Sequence, residues 1–109
     1  MDARKKRKLE TAAWRVGSAA EFLELSPEES SLIDLKLSMG QLVRKMRARA
    51  HLSQHELAER LRSSQSRVAK MEAGDAGVSL DLMFKAALAA GAKRPELAKA
   101  IASRRRAAS

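Results

Sequence analysis

The chain has 109 residues, with 22 Lys and Arg against 13 Asp and Glu and a formal charge of +9, so it has room for one small domain plus arms and a field that favours polyanionic partners. The absence of cysteine excludes disulfides and thiolate metal sites and suits a reducing cytoplasm, and no apolar run approaches membrane-spanning length. A helical core of this size is marginally stable unless a second subunit adds buried area, so a homodimer is expected on physical grounds.

In chain order, residues 1 to about 16 open with RKKRK and lack a sustained apolar period, which predicts a basic arm. The following LETAAWRVGSAAEF is too polar for the apolar core of a signal peptide, so a cytoplasmic, soluble protein is expected. Ser18 and Glu21 have capping-box spacing and predict a short helix with Ala19, Phe22 and Leu23 on one side. Ser26, Pro27 and Glu29 combine an N-cap, a proline at the first helical position and an acid at the third, the start of a long helix. Its apolar row, Leu32, Leu35, Met39, Leu42 and Met46, runs in steps of three and four toward Ala50. Gly40 lies within that row and is compatible with either one unbroken helix or two.

Between Ser53 and Gly74, SQHELAERLRSSQSRVAKMEAG, the breaks and apolar spacing predict two short helices joined by a tight turn, a helix-turn-helix. Ser53 and Glu56 form a capping box for the first, whose buried face is Leu57, Ala58 and Leu61. Ser64 caps the second, Val68 and Met71 supply its buried side, and Gly74 ends it. Residues 75 to 78 read as a loop. Ser79 then caps a helix in which Leu80, Met83, Phe84, Ala87 and Leu88 share one face. Gly91 ends that helix, Pro95 starts a last short one bearing Leu97 and Ile101, and Arg104 to Arg106 form a basic tail. No segment alternates as a strand would, so the chain is expected to be all-α, organised as 1–25, a basic arm and short amphipathic segment; 26–103, the helix-turn-helix domain with its leading helix; and 104–109, the tail.

The outer side of the second short helix carries Gln65, Ser66, Arg67 and Lys70, hydrogen-bonding and cationic types suited to base edges and phosphates. Any soluble helix needs a polar outer face; the helix and turn immediately before this one favour the DNA-reading interpretation. Residues 53 to 74 resemble the helix-turn-helix of the Xre/Cro family, the lambda-repressor-like domains, with the likeness running from about Met39 to Gly91. With WRVGSAAEFLELSPEE upstream and SQSRVAKMEAG within it, the wider chain is similar to HigA-like antitoxins. The resemblance implies a lambda-repressor-like five-helix DNA-binding domain with an N-terminal extension, acting as a transcriptional repressor on a double-stranded DNA operator, and as the antitoxin of a toxin-antitoxin pair with a RelE-like toxin as partner. A stand-alone phage-type or metabolic repressor and a bridging-coactivator-like adaptor are the alternatives.

The resemblance also implies that Gln54 contacts the DNA backbone beside the first recognition-helix glutamine, and that Arg47 and Glu72 form a partly buried pair tying the leading helix to the recognition helix. Two departures from the family pattern stand out. Arg62 occupies a turn position where glycine is common, and the loop Asp75-Ala76-Gly77-Val78 lacks the basic residues that some members place on phosphate.

Lys5, Lys6, Arg7 and Arg104 to Arg106 fit either phosphate contacts or a solubilising role. Trp14, Val16, Phe22 and Leu23 gather the single tryptophan and one of two phenylalanines outside the minimal domain, as either an auxiliary mini-core or a partner-binding segment. Catalysis has little support: His51 and His55 are separated by a new helix start and do not match HExxH, the serines lack a base and orienter, and no glycine loop cradles phosphate. No enzyme, no cofactor and no metal site are expected.

Overall fold

The computed structural model describes residues 25–103. The expected arm, the Ser18–Glu21 start, Trp14, Val16, Phe22, Leu23 and the tail from Arg104 lie outside them. Five helices and no strand occur among the described residues: α1 Pro27–Arg49, α2 Gln54–Leu61, α3 Gln65–Glu72, α4 Leu80–Ala89 and α5 Arg94–Ala102. Residues 33–103 belong to one compact unit and residues 25–32 to another.

Serine starts four of the five helices. Ser26, Ser53, Ser64 and Ser79 each accept, at 3.0–3.2 Å, the amide three residues on. In the first two a glutamate returns the bond, Glu29 to the amide of Ser26 and Glu56 to that of Ser53, closing the reciprocal box that satisfies otherwise orphaned helix donors. The Glu56 carboxyl is held below its ordinary range, first by the Ser53 amide and then by its hydroxyl.

Four helices stop in the same way, with a left-handed residue whose amide bonds the carbonyl three back and whose successor bonds the carbonyl five back. The left-handed residues are His51 (φ 58°), Arg62 (φ 54°), Gly74 (φ 70°) and Gly91 (φ 105°), and the paired bonds run 2.9–3.1 Å. Gly74 and Gly91 are the stops legible in the sequence; His51 and Arg62 adopt the same conformation against the preference of an L-residue. That preference is worth about 1–2 kcal/mol, and glycine's extra chain entropy returns roughly 0.5–1 kcal/mol of it. Arg62→Gly is therefore expected to stabilise the unit by about 0.5–1 kcal/mol, seen as a midpoint raised by a few degrees in thermal unfolding. A lowered midpoint would show that the Arg62 side chain contributes more than its backbone strain costs.

The helix α1 is continuous through Gly40. The glycine marks a crossing, because a Cβ built on it would lie 2.5 Å from the Met71 carbonyl oxygen and 2.8 Å from that of Glu72. One turn earlier, Leu37 lies against Gly74, where an added Cβ would come within 2.9 Å of its side chain. Two glycines thus let α1 and the end of α3 approach backbone to backbone.

Around this crossing the core is built from Met39, Val43, Met46, Leu57, Val68, Met71 and Met83, all fully buried, with small residues Ala58, Ala86, Ala87 and Ala90 filling between helices. Leu32, expected on the apolar row of α1, is exposed, and Leu88, expected on the inner face of α4, is half exposed. The reason in α4 is size: the helix turns Met83, Ala86, Ala87 and Ala90 inward, where alanines allow close approach, and leaves Leu80 and Phe84 at the margin. In α5, Leu97 packs on the core margin and Ile101 is exposed. Two polar ties hold the outer helices: Arg49 pairs with Glu96 at 2.9 Å, and Arg60 donates to the Ala89 carbonyl at the end of α4 at 3.1 Å.

Candidate nucleic-acid interface

The helices α2 and α3 are each eight residues long, too short to persist alone, and their orientation comes from what they bury. Leu57 and Ala58 fix α2; Val68 and Met71 fix α3. With 68 and 71 inward, Gln65, Ser66, Arg67 and Lys70 fall on the outward side, and all four are exposed. Among the described helices α3 alone has no acidic residue in its first turn. The positive end of its dipole is therefore left uncompensated beside Arg67, a local field suited to a polyanion.

The first residues of α2 and α3 meet through their side chains. Gln65 Nε2 donates to Gln54 Oε1 at 2.8 Å, and Gln54 Nε2 donates to Glu72 Oε1 at 3.1 Å. Glu72 is in turn gripped by Arg47, with Nε donating to Oε2 at 2.5 Å and Nη2 to Oε1 at 3.0 Å. The third guanidinium nitrogen, Nη1, donates to the Leu52 carbonyl at 2.9 Å. The Arg47 and Glu72 side chains are only 18% and 7% exposed. The hydrogen bonds to Glu72 raise the Arg47 pKa above its ordinary value, against the opposing effect of desolvation. The fork geometry is the strong form of an arginine-carboxylate pair. It spans from α1 to the last residue of α3.

The remaining sequence candidates fall elsewhere. His51 ends α1, and His55 pairs on the surface with Glu59 at 2.8 Å. Among the described residues no group of three His, Cys, Asp or Glu side chains is placed to hold a metal ion, and no helix is long and apolar enough to cross a membrane. Two contacts were not legible. The Gln54–Glu72 bond joins residues 18 apart, and Lys36 reaches across 40 residues to donate from Nζ to the Ala76 carbonyl at 2.8 Å. The loop with no basic residue of its own thus has an ammonium group resting on it from α1. Neither pair has a local spacing that sequence periodicity would reveal.

Compared with protein families, residues 43–97, just over half of the chain, match the family described as helix-turn-helix. The chain belongs to this family, the Xre-type, lambda-repressor-like group. The match begins inside α1 after Gly40 and ends inside α5, so it covers the two motif helices and the closing helix α4. No curated protein and no solved structure matches the chain. As a member of the helix-turn-helix family the protein is a DNA-binding transcription regulator, and α3 is the helix in the recognition position.

Proposed function

We propose that the protein is a sequence-specific repressor that binds its operator as a homodimer, with Gln65, Ser66, Arg67 and Lys70 facing the major groove and Gln54 on the adjacent backbone. The observation that carries the reading is the exposed row on α3, held outward by Val68 and Met71 and continuous with Gln54 through the Gln65 amide. Gln65 is the base reader, since glutamine pairs bidentately with adenine; Arg67 and Lys70 serve guanine or phosphate. Two recognition helices of a dimer meet successive major grooves on one side of the duplex, so half-sites lie about one helical turn apart or a multiple of it.

Selection from a randomised duplex pool followed by footprinting tests this. A pseudo-palindromic site is expected, and Gln65→Ala is expected to weaken it by roughly 1–3 kcal/mol and relax one base position, whereas Lys70→Ala, if Lys70 serves phosphate, weakens all sequences alike. Weak, sequence-independent binding by the wild-type protein together with tight capture of another regulator would instead describe an adaptor.

Within that reading the protein is the antitoxin of a HigA-like pair that represses its own promoter in the cytoplasm, with Trp14, Val16, Phe22 and Leu23 as the segment that takes a RelE-like toxin. Support comes from the resemblance of WRVGSAAEFLELSPEE and SQSRVAKMEAG to such antitoxins. The neighbouring reading frame decides between this and a stand-alone repressor: a small basic toxin gene beside this one favours the antitoxin.

A further inference from the structure

Lys36 stands outside the family-matched residues 43–97, on a turn of α1 that precedes them, yet its side chain ends at the exit of the recognition helix. Three successive approaches place it there. The backbone of α1 meets the Met71 and Glu72 carbonyls at Gly40, Leu37 lies against Gly74, and Lys36 Nζ donates to the Ala76 carbonyl at 2.8 Å. Lys36 is partly buried while Asp75, Ala76 and Gly77 are exposed, so its ammonium is held at the surface of the loop. One carbonyl occupies one of its three N–H donors. Among the described residues it forms no ion pair, since those present join Arg47 to Glu72, Arg49 to Glu96 and His55 to Glu59.

The carbonyl end of α3 opens into this loop, and Asp75 adds a carboxylate there, its Oδ1 accepting from the Gly77 amide at 2.7 Å. Both repel phosphate. An eight-residue helix is about 12 Å long and the major groove about 12 Å wide, so a recognition helix seated with Gln54 beside one wall of the groove comes within side-chain reach of the backbone at its other end too. We infer that Lys36 supplies the phosphate contact at the loop end of α3, making a locally anionic turn, together with Lys70, receptive to the DNA backbone. This deepens the proposed function and rests on α3 lying in the major groove. An ammonium fixed on a carbonyl and keeping two donors suits a phosphate oxygen as a positioned point charge. The early turns of α1 thereby deliver a cation to a loop that has none of its own.

The test is the salt dependence of binding to the selected operator by the full-length protein. Each neutralised phosphate contributes about 0.9 to the slope of log K against log salt, so two subunits that lose one contact each flatten it by roughly 1.8. Lys36→Gln keeps a donor for the Ala76 carbonyl and removes the charge. Between about 50 and 200 mM salt the wild type is therefore expected to lose roughly twelvefold more affinity than Lys36→Gln, with the unfolding midpoint unchanged and all single-base variants of the operator weakened alike. Lys36→Arg, which keeps the charge, is expected to keep the wild-type slope. Lys99→Gln, which removes an exposed ammonium from α5, is expected to leave it unchanged. Neutral methylphosphonates at single backbone positions locate the contact: one position per half-site is expected to weaken the wild type severalfold and Lys36→Gln not at all. An unaltered slope in Lys36→Gln overturns the proposal, and so does a slope that Lys99→Gln flattens equally, which is an effect of net charge alone. A wild-type protein that selects no preferred duplex overturns instead the reading beneath it.

Discussion

Gly40→Ala is expected to lower the unfolding midpoint markedly, although alanine is the better helix former. The added methyl would sit 2.5 Å from the Met71 carbonyl oxygen, 2.8 Å from the Glu72 carbonyl oxygen and 3.1 Å from the Glu72 carbonyl carbon. All three are backbone atoms at the end of α3, so no side chain can rotate out of the way and one helix must move. Overpacking of this kind costs about 1–3 kcal/mol, and a backbone obstacle puts it toward the upper end. The helix-propensity gain of about 0.8–1 kcal/mol offsets only part. A net loss of roughly 1–2 kcal/mol corresponds to a midpoint lower by about 4–8 °C for each kcal/mol in a domain of this size. Gly77→Ala is the control, since its Cβ would meet only the Asp75 side chain at 3.1 Å and is expected to change little. A midpoint for Gly40→Ala equal to or above wild type would show that α1 does not cross α3 at this close approach. Since Met71 and Glu72 belong to the recognition helix, weaker DNA binding is expected to accompany the lost stability.

Gly40 also illustrates what the sequence could and could not reveal. Read locally, a glycine in the middle of a helix is a breaker; read with Met71 and Glu72 beside it, it is the condition for the helix to pass. Signals that act over three residues were legible, which is why Ser26, Ser53, Ser64 and Ser79 marked their helix starts. The stops at His51 and Arg62 were not, because their bonds are made by backbone groups and neither side chain advertises a left-handed φ. The inward face of α4 departs from the apolar pattern at Leu88 for a related reason: hydrophobicity ranks leucine above alanine, while close packing of helices prefers the smaller residue.

The exposed face of α3 was more legible than the core behind it. Once Val68 and Met71 are inward, a period of 3.6 puts Gln65, Ser66, Arg67 and Lys70 outward with no further information. The partners of Glu72 lie 25 and 18 residues away, beyond any local pattern. Only resemblance to the family joins Arg47 to Glu72, and Gln54 to the neighbourhood of Gln65. The direct bond from Gln54 to Glu72 follows from neither local spacing nor that resemblance.

Glu72→Ala is expected to cost about 3 kcal/mol or more, because breaking a largely buried ion pair leaves its partner charged and unpaired. Arg47 would keep only its bond to the Leu52 carbonyl, and Gln54 Nε2 would lose its acceptor. Arg47→Ala is expected to cost a similar amount, leaving both the Glu72 carboxylate and the Leu52 carbonyl without the guanidinium. Replacing both at once, as Arg47→Met with Glu72→Leu, removes the two charges together and fills much of their volume, so its cost should fall well short of the sum for the same two single replacements. The interaction energy from that double-mutant cycle is expected near the upper end of the roughly 0.5–3 kcal/mol found for contacting residues. It should change little between low and moderate salt, since a pair shielded from solvent is weakly screened. Because a single loss of this size approaches the total stability of a small domain, the cycle is best measured by denaturant unfolding in the Arg62→Gly background, where the expected gain keeps all four proteins folded. Strict additivity there would mean that Arg47 and Glu72 stabilise α1 and α3 independently and that the fork between them contributes nothing.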